Sequence, residues 1–322
     1  MAFKIKYKIL LLTAFSVAFA GIYLFYFSGS TFSDAFQNGT ISHQIAFDLR
    51  LPRLLFVLMI GGTLSVLGGC YQVLFRNPLA EPYLLGISSG VSLMAAIMHV
   101  GFQMPLNSWS MIGVGCGSAF AISVLLLSLG RLAKGSSTER LVLFGMSLNF
   151  VLSSLLFLYL TFASQQLGGG SMQWLFGHIP WVTLEEGVYY FVTGLVFVAL
   201  WFVMGRQLDA MAMGDTVART LGVSPVLTRR VVILTSSLFL GLVVVQTGSI
   251  GFVGLVIPHC VRLIFSPHSS RSLFLFSFAG GGVFLLFCDF LSRNLLPPME
   301  FPIGIITTLV GSPIFLWLLW KR

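Results

Sequence analysis

Residues 50–90 read RLPRLLFVLMIGGTLSVLGGCYQVLFRNPLAEPYLLGISSG. Arg50 and Arg53 bracket a Leu-Pro pair, and the 22 residues that follow, 54–75, carry no charge. At 1.5 Å per residue that run is about 33 Å long, enough for a helix to cross the hydrocarbon core of a bilayer. Arg76 then opens a polar break, residues 76–82, in which Pro78 and Pro82 stand four apart. Each proline removes a backbone donor and disfavours helix in the residue before it, so the chain leaves regular helix here. Irregular backbone at membrane depth survives only where protein buries it or where it lines a water-filled cavity. On the residues alone two readings stay open: a transport pathway, or an ordinary span followed by a tight loop.

The rest of the chain repeats this pattern. Of 322 residues, 57% are hydrophobic and only 9% charged, against about a quarter charged in soluble domains. The fold class is an all-α polytopic membrane protein, one transmembrane domain over residues 1–322. Hydropathy and Gly/Pro breaks predict ten segments, near 9–27, 54–75, 84–100, 109–130, 141–164, 187–205, 231–247, 255–265, 272–292 and 303–320. The eighth is a half-helix, preceded by a Gly- and Pro-rich stretch at 248–258. The first begins like a secretory signal, with Ala18-Phe19-Ala20 as a cleavage-like site, but its apolar run continues to Phe27 and is long enough to span, so it reads as a retained helix. Gly168, Gly169 and Gly170 precede a short segment, 171–177, that cannot cross. The breaks after the second and seventh spans fall at opposite membrane ends, which suggests an inverted repeat.

Charge placement sets the orientation. With the N-terminus inside, 15 of the 18 Lys and Arg fall on the inner side; Arg50, Arg53 and Arg293 fall outside. Both termini are then cytoplasmic, and the net charge of +8 needs no nucleic-acid partner. Cys70, Cys116, Cys260 and Cys288 show neither metal spacing nor a paired framework and read as small packing residues.

Of the ten acids, only Asp289 lies within a predicted segment, whereas ion-coupled carriers usually need buried ionisable relays. There is no G-x-x-x-x-G-K-[ST] phosphate loop, so the chain holds no ATP-hydrolysing site of that kind. The five histidines form no i, i+4 pair. A membrane enzyme would need clustered His, Asp or Glu, which is absent, and a self-sufficient carrier or channel is the remaining alternative to a pathway driven from another subunit. The attachment point for such a subunit is residues 206–230, where 208–221 can form a short amphipathic helix. Met211, Val217, Ala218 and Leu221 would supply apolar contacts, Asp215 and Arg219 could pair four apart, and Gly222 and Pro225 end it.

These motifs resemble the permease subunits of binding-protein-dependent ABC importers for iron-siderophore complexes, haem and cobalamin. The blocks are RLPR at 50–53, NPLAEP at 77–82, GSIGFVGL at 248–255 with Pro258, His259 and Arg262, then Asp289 with Arg293, EFPIG at 300–304, and GSP at 311–313. The resemblance covers nearly the whole chain. It implies ten helices per subunit, a homodimer with the pathway at its two-fold axis, a cytoplasmic ATPase dimer that holds the ATP and Mg, and a periplasmic or lipid-anchored substrate-binding protein. Alternating access in a bacterial cytoplasmic membrane, with no cofactor bound by this chain, follows from the same likeness. By position, Arg50, Arg53 and Arg293 match outer arginines that receive acidic residues of the binding protein. Asn77 and Leu79 match one layer of the cytoplasmic gate, and Ser137 and Thr138 lie in the loop forming the other, where Glu139 departs from the small residue expected. Gly214, Asp215, Ala218, Arg219, Leu221 and Gly222 match the helix that docks on the ATPase.

Overall fold

The uncharged run becomes one helix, α1 (Leu51–Leu74). Pro52 sits in its first turn, and a π-helical turn at Ile45–Arg50, with Leu51 N donating to Ala46 O, leads into it. The computed structural model describes residues 20, 21, 23, 44–132, 138–163, 174–296 and 299–320. After α1, a single 3-10 turn at Pro82–Leu85 leads to α2 (Ile87–Ala96), which a π turn extends to Gly101. Then come α3 (Trp109–Leu132), α4 (Thr138–Ala163), α5 (Leu184–Val203), α6 (Gly205–Ala212), α7 (Asp215–Thr220) and α8 (Pro225–Thr247). The chain ends in α9 (Val253–Phe265), α10 (Ser270–Asn294) and α11 (Ile303–Trp320). Among the described residues there is no β-strand.

Six of these helices are long and apolar enough to span a membrane, and Ile87–Gly101, Val253–Phe265 and Ile303–Leu318 are shorter apolar helices. Nine of the ten expected segments are therefore helical where hydropathy put them. The first, 9–27, lies outside the described residues save Ala20, Gly21 and Tyr23. Local chemistry fixes several ends. Thr183 and Glu186 form a capping box that starts α5 beside its acids, and Gly248, at φ +67°, closes α8.

α1 is the central helix: 20 of its 24 residues are buried, whereas most of α4 is not. Its most extensive neighbour is α10, which runs antiparallel to it, since Gly61 meets Gly281 and Arg53 meets Asp289 further out. A Cβ on Gly61 would strike the Gly281 carbonyl, and one on Gly68 the backbone of Gly254 at the start of α9. The missing side chains let these backbones touch, the usual means of tight packing where lipid offers no hydrophobic drive. α3 and α8 pack against each other, and α4 and α5 stand at the periphery.

Candidate functional site

The break after α1 turns back into the protein. Arg76 takes φ +49°, the Asn77 side chain accepts from Leu79 N at 2.9 Å, and Ala80 N donates to Asn77 O at 3.1 Å. This tight turn presents Arg76, Asn77, Pro78 and Leu79 to solvent. The chain then runs to the second break. Glu81 Oε1 accepts from Phe252 N at 2.9 Å, and Tyr83 Oη accepts from Ile250 N at 3.4 Å. The two broken segments start at opposite ends of α1, the first after Leu74 and the second at Gly248 beside the strap that packs on the Arg53 end, and they meet here. Both chains re-enter. α9 has 13 residues, about 20 Å, too short to cross, and its first turn lies beside Gly68 and Gln72, one to two turns before α1 ends. Gln72 Nε2 donates to the Gly254 and Leu255 carbonyls at 3.3 and 3.1 Å, and Arg262 Nη1 donates to Gln72 Oε1. Ser137 lies outside the described residues, and Thr138 opens α4, so the structure gives the geometry of the Asn77–Leu79 layer alone.

At the same end of α1, residues 208–221 depart from expectation. They form two helices rather than one, broken at Gly214 with φ +111°. That break rephases the apolar face. Leu208, Met211 and Ala218 are buried within the chain, while Met213, Val217, Leu221 and Leu227 are exposed. Asp215 does not pair with Arg219. Arg229 Nη2 donates to both its oxygens, at 2.6 and 2.7 Å, and Arg219 and Gly222 face solvent. The reason is reach: α7 has only six residues, and its first turn faces the buried Arg229 of α8. Asp209 on α6 accepts from Ser270 N at 2.6 Å, a carboxylate at the positive N-terminus of α10. Arg76 bridges the two regions, its guanidinium lying over Gly214, 3.4 Å from where a Cβ would stand.

At the far end of α1 the three arginines part company. Arg53 is 1% exposed and ion-paired to Asp289 at 2.8 Å, with Glu300 at 3.5 Å and the Trp181 ring at 4.9 Å. Asp289, equally buried, also takes Arg293 at 3.3 Å and the Tyr23 hydroxyl at 2.5 Å. The Arg53 side chain does not reach the surface, so its expected direct contact with a docked protein does not fit this geometry; Arg50 and Arg293 are half-buried. The sequence shows Asp289 and Arg293 one turn apart but carries no local signal for the pairing with Arg53, 236 residues away.

A strap of irregular chain, residues 174–183, lies beside this cluster and closes helix ends that would otherwise be orphaned. Trp174 Nε1 donates to Val245 O at 3.0 Å and His178 N to Thr247 O at 2.7 Å, while Gly177 O accepts from Ile303 N at 2.8 Å. Under it lies a cavity of about 400 Å³ lined by Asn107, Trp174, His178, Trp181 and Gln246. Burial, and then the Arg53 charge, hold His178 below its ordinary value of 6.5, so it is neutral near pH 7.

Among the described residues the arrangement offers hydrogen bonds, ion pairs and irregular backbone. The model of the FecCD transport family matches residues 8–321. The ABC transporter permease protein YvrB of Bacillus subtilis is 34% identical over 285 residues, 87% of this chain and 79% of that protein. The vitamin B12 import system permease protein BtuC of Salmonella arizonae is 36% identical over 279 residues, 85% of this chain and 82% of that one. A solved ABC transporter of metal-chelate type, in an inward-facing conformation, superposes with a TM-score of 0.85 at 28% identity, covering 98% of this chain and 99% of its own. PsaBC from Streptococcus pneumoniae, at 17% identity and TM-score 0.59 over 83% of this chain and 90% of that one, shares the fold alone. With a family match along nearly its whole length, the chain belongs to the FecCD transport family and is an ABC-importer permease of that type, a transport chain rather than an enzyme.

Proposed function

We propose that the chain is the membrane subunit of an importer for a bulky metal chelate, with cobalamin the first substrate to test and iron-siderophore complexes and haem after it. It works as a homodimer in a bacterial cytoplasmic membrane, termini inside. A separate ATPase dimer, holding ATP and Mg, docks on α6–α7, and a soluble or lipid-anchored binding protein delivers substrate at the Arg50 and Arg293 end. The observation that carries this reading is a juxtaposition at one end of α1. An exposed loop bearing Asn77 and Leu79 lies, through the Arg76 guanidinium beside Gly214, next to a segment with an apolar surface of Met213, Val217 and Leu221. Such a surface suits a protein partner, and the loop is placed to be moved by it.

The test is reconstitution in proteoliposomes with a candidate ATPase and binding protein of this importer type, using cyanocobalamin, a ferric hydroxamate chelate and haem. Uptake of one of them is expected, dependent on ATP and on both partners. Uphill uptake driven by a proton gradient with the chain alone would instead identify a self-sufficient carrier.

A further inference from the structure

Two non-glycine residues near the breaks hold left-handed backbone: Arg76 at φ +49° and Phe252 at φ +69°. Such conformations cost of order 1–3 kcal/mol each and persist only where the surroundings impose them. Both lie on one chain of contacts. The Arg76 guanidinium lies beside Gly214 in the turn between α6 and α7, 3.4 Å from where a Cβ would stand. Five residues on, Glu81 Oε1 takes the Phe252 N–H at 2.9 Å. No side chain of α9 itself caps this helix, so Glu81 supplies an acceptor to its N-terminus. The Phe252 side chain in turn covers Gly311 of α11, where an added Cβ would come within 3.0 Å of Phe252 Cβ. The exposed turn of Asn77 and Leu79 lies between Arg76 and Glu81.

We propose that Glu81 is a positioning residue for transport: its bond to Phe252 N ties the Asn77–Leu79 turn to α9 and, through Phe252 on Gly311, to α11, so that a displacement entering at Gly214 reaches both the turn and α11. This rests on the reading of that turn as a gate moved by a partner on α6–α7. Two bonds join these irregular segments, and the Glu81 bond, at 2.9 Å, is the shorter and the one that holds Phe252 itself; the other, from Ile250 N to Tyr83 Oη, is 3.4 Å. Loss of the Glu81 bond separates the two halves of the motion: the turn still follows Arg76, and α11 no longer follows the turn. Gln at position 81 keeps an oxygen in the same place and preserves the link; Ala removes it.

The experiment uses the permease assembled with its ATPase in nanodiscs and two single reporters, Leu79→Cys on the turn and Thr308→Cys on the exposed side of α11. Maleimide labelling rates are read peptide by peptide by mass spectrometry, so the native cysteines do not interfere. Adding ATP and Mg should change both rates by about fivefold or more, the low end of ordinary allosteric coupling. With Glu81→Ala the response at 79 persists and that at 308 falls below about twofold; Glu81→Gln restores it. If Glu81→Ala does not assemble, Glu81→Asp, one methylene shorter, is expected to lose the 308 response in the same way. A full response at 308 in Glu81→Ala or Glu81→Asp overturns the proposal while leaving the gate reading intact. Absence of any response at 79 in the parent complex overturns the gate reading and the proposal with it.

Discussion

Asp289 and Arg53 are each about 1% exposed and sit 2.8 Å apart. Two charges taken out of water gain little net from each other, but removing one strands the other, typically at 3–5 kcal/mol. Asp289→Asn should therefore lower the thermal midpoint of the detergent-solubilised protein sharply. Arg53→Glu should prevent recovery of folded protein, because it would bring a third carboxylate beside Asp289 and Glu300. Arg50→Glu, at a half-buried position, should leave the midpoint nearly unchanged and weaken binding-protein association at low salt, since rim charges chiefly steer encounter. An unchanged midpoint in Asp289→Asn would remove the buried cluster as a structural element. Asp215 teaches the same lesson on a smaller scale. An exposed i, i+4 pair with Arg219 would contribute a few tenths of a kcal/mol, whereas its actual partner, Arg229, is 8% exposed and loses its counter-charge if Asp215 is truncated.

At the scale of the element, α6 and α7 show how a correct location can carry the wrong face. A continuous helix over 208–221 would set Met211, Ala218 and Leu221 on one surface. The kink at Gly214 turns Met211 and Ala218 inward, both at 1% exposure or less, and leaves Met213 at 68% and Leu221 at 61%. Substitutions at the two sets should behave differently. Ala218→Arg forces a long charged side chain into a filled site and should destabilise the permease itself. Leu221→Asp should leave the thermal midpoint alone and weaken association with the ATPase about tenfold or more, as loss of an interface anchor does. Surface plasmon resonance on the solubilised permease reads this directly, and normal ATPase affinity for Leu221→Asp with weakened affinity for a folded Ala218→Arg would restore the original face. Gly214 was visible in the sequence, yet its φ was not: a glycine permits a break without requiring one. Helix existence was legible because hydropathy is summed over some twenty residues. Glu81 on Phe252, Asp209 on Ser270 and Arg53 on Asp289 were not, because each joins residues 61 to 236 positions apart and leaves no periodic trace.

For the whole molecule, the fold rests on α1, which the other helices surround, and the outermost helix poses the remaining question. α4 buries little of itself, and Leu143, Ser147, Phe150, Ser154, Phe157 and Thr161 recur every three or four residues along one exposed face. Two of the three hydroxyls in that row bond to the helix's own carbonyls, Ser147 to Leu143 O and Thr161 to Phe157 O, and small hydroxyl residues along one face favour helix–helix contact. On α5, by contrast, Val188, Val192, Leu195, Val196 and Val203 present an exposed face without polar groups, as a lipid-facing helix should. In the homodimer proposed above, α4 of one copy is expected to face α4 of the other, with α5 outside. In native membranes, Ser154→Cys should give a dimer band with a short bismaleimide, and Val196→Cys, at 63% exposure, should not. ATP should alter the Ser154→Cys yield if the path changes width during transport. Efficient cross-linking through Val196→Cys, with none through Ser154→Cys, would put α5 at the two-fold axis and α4 in the lipid.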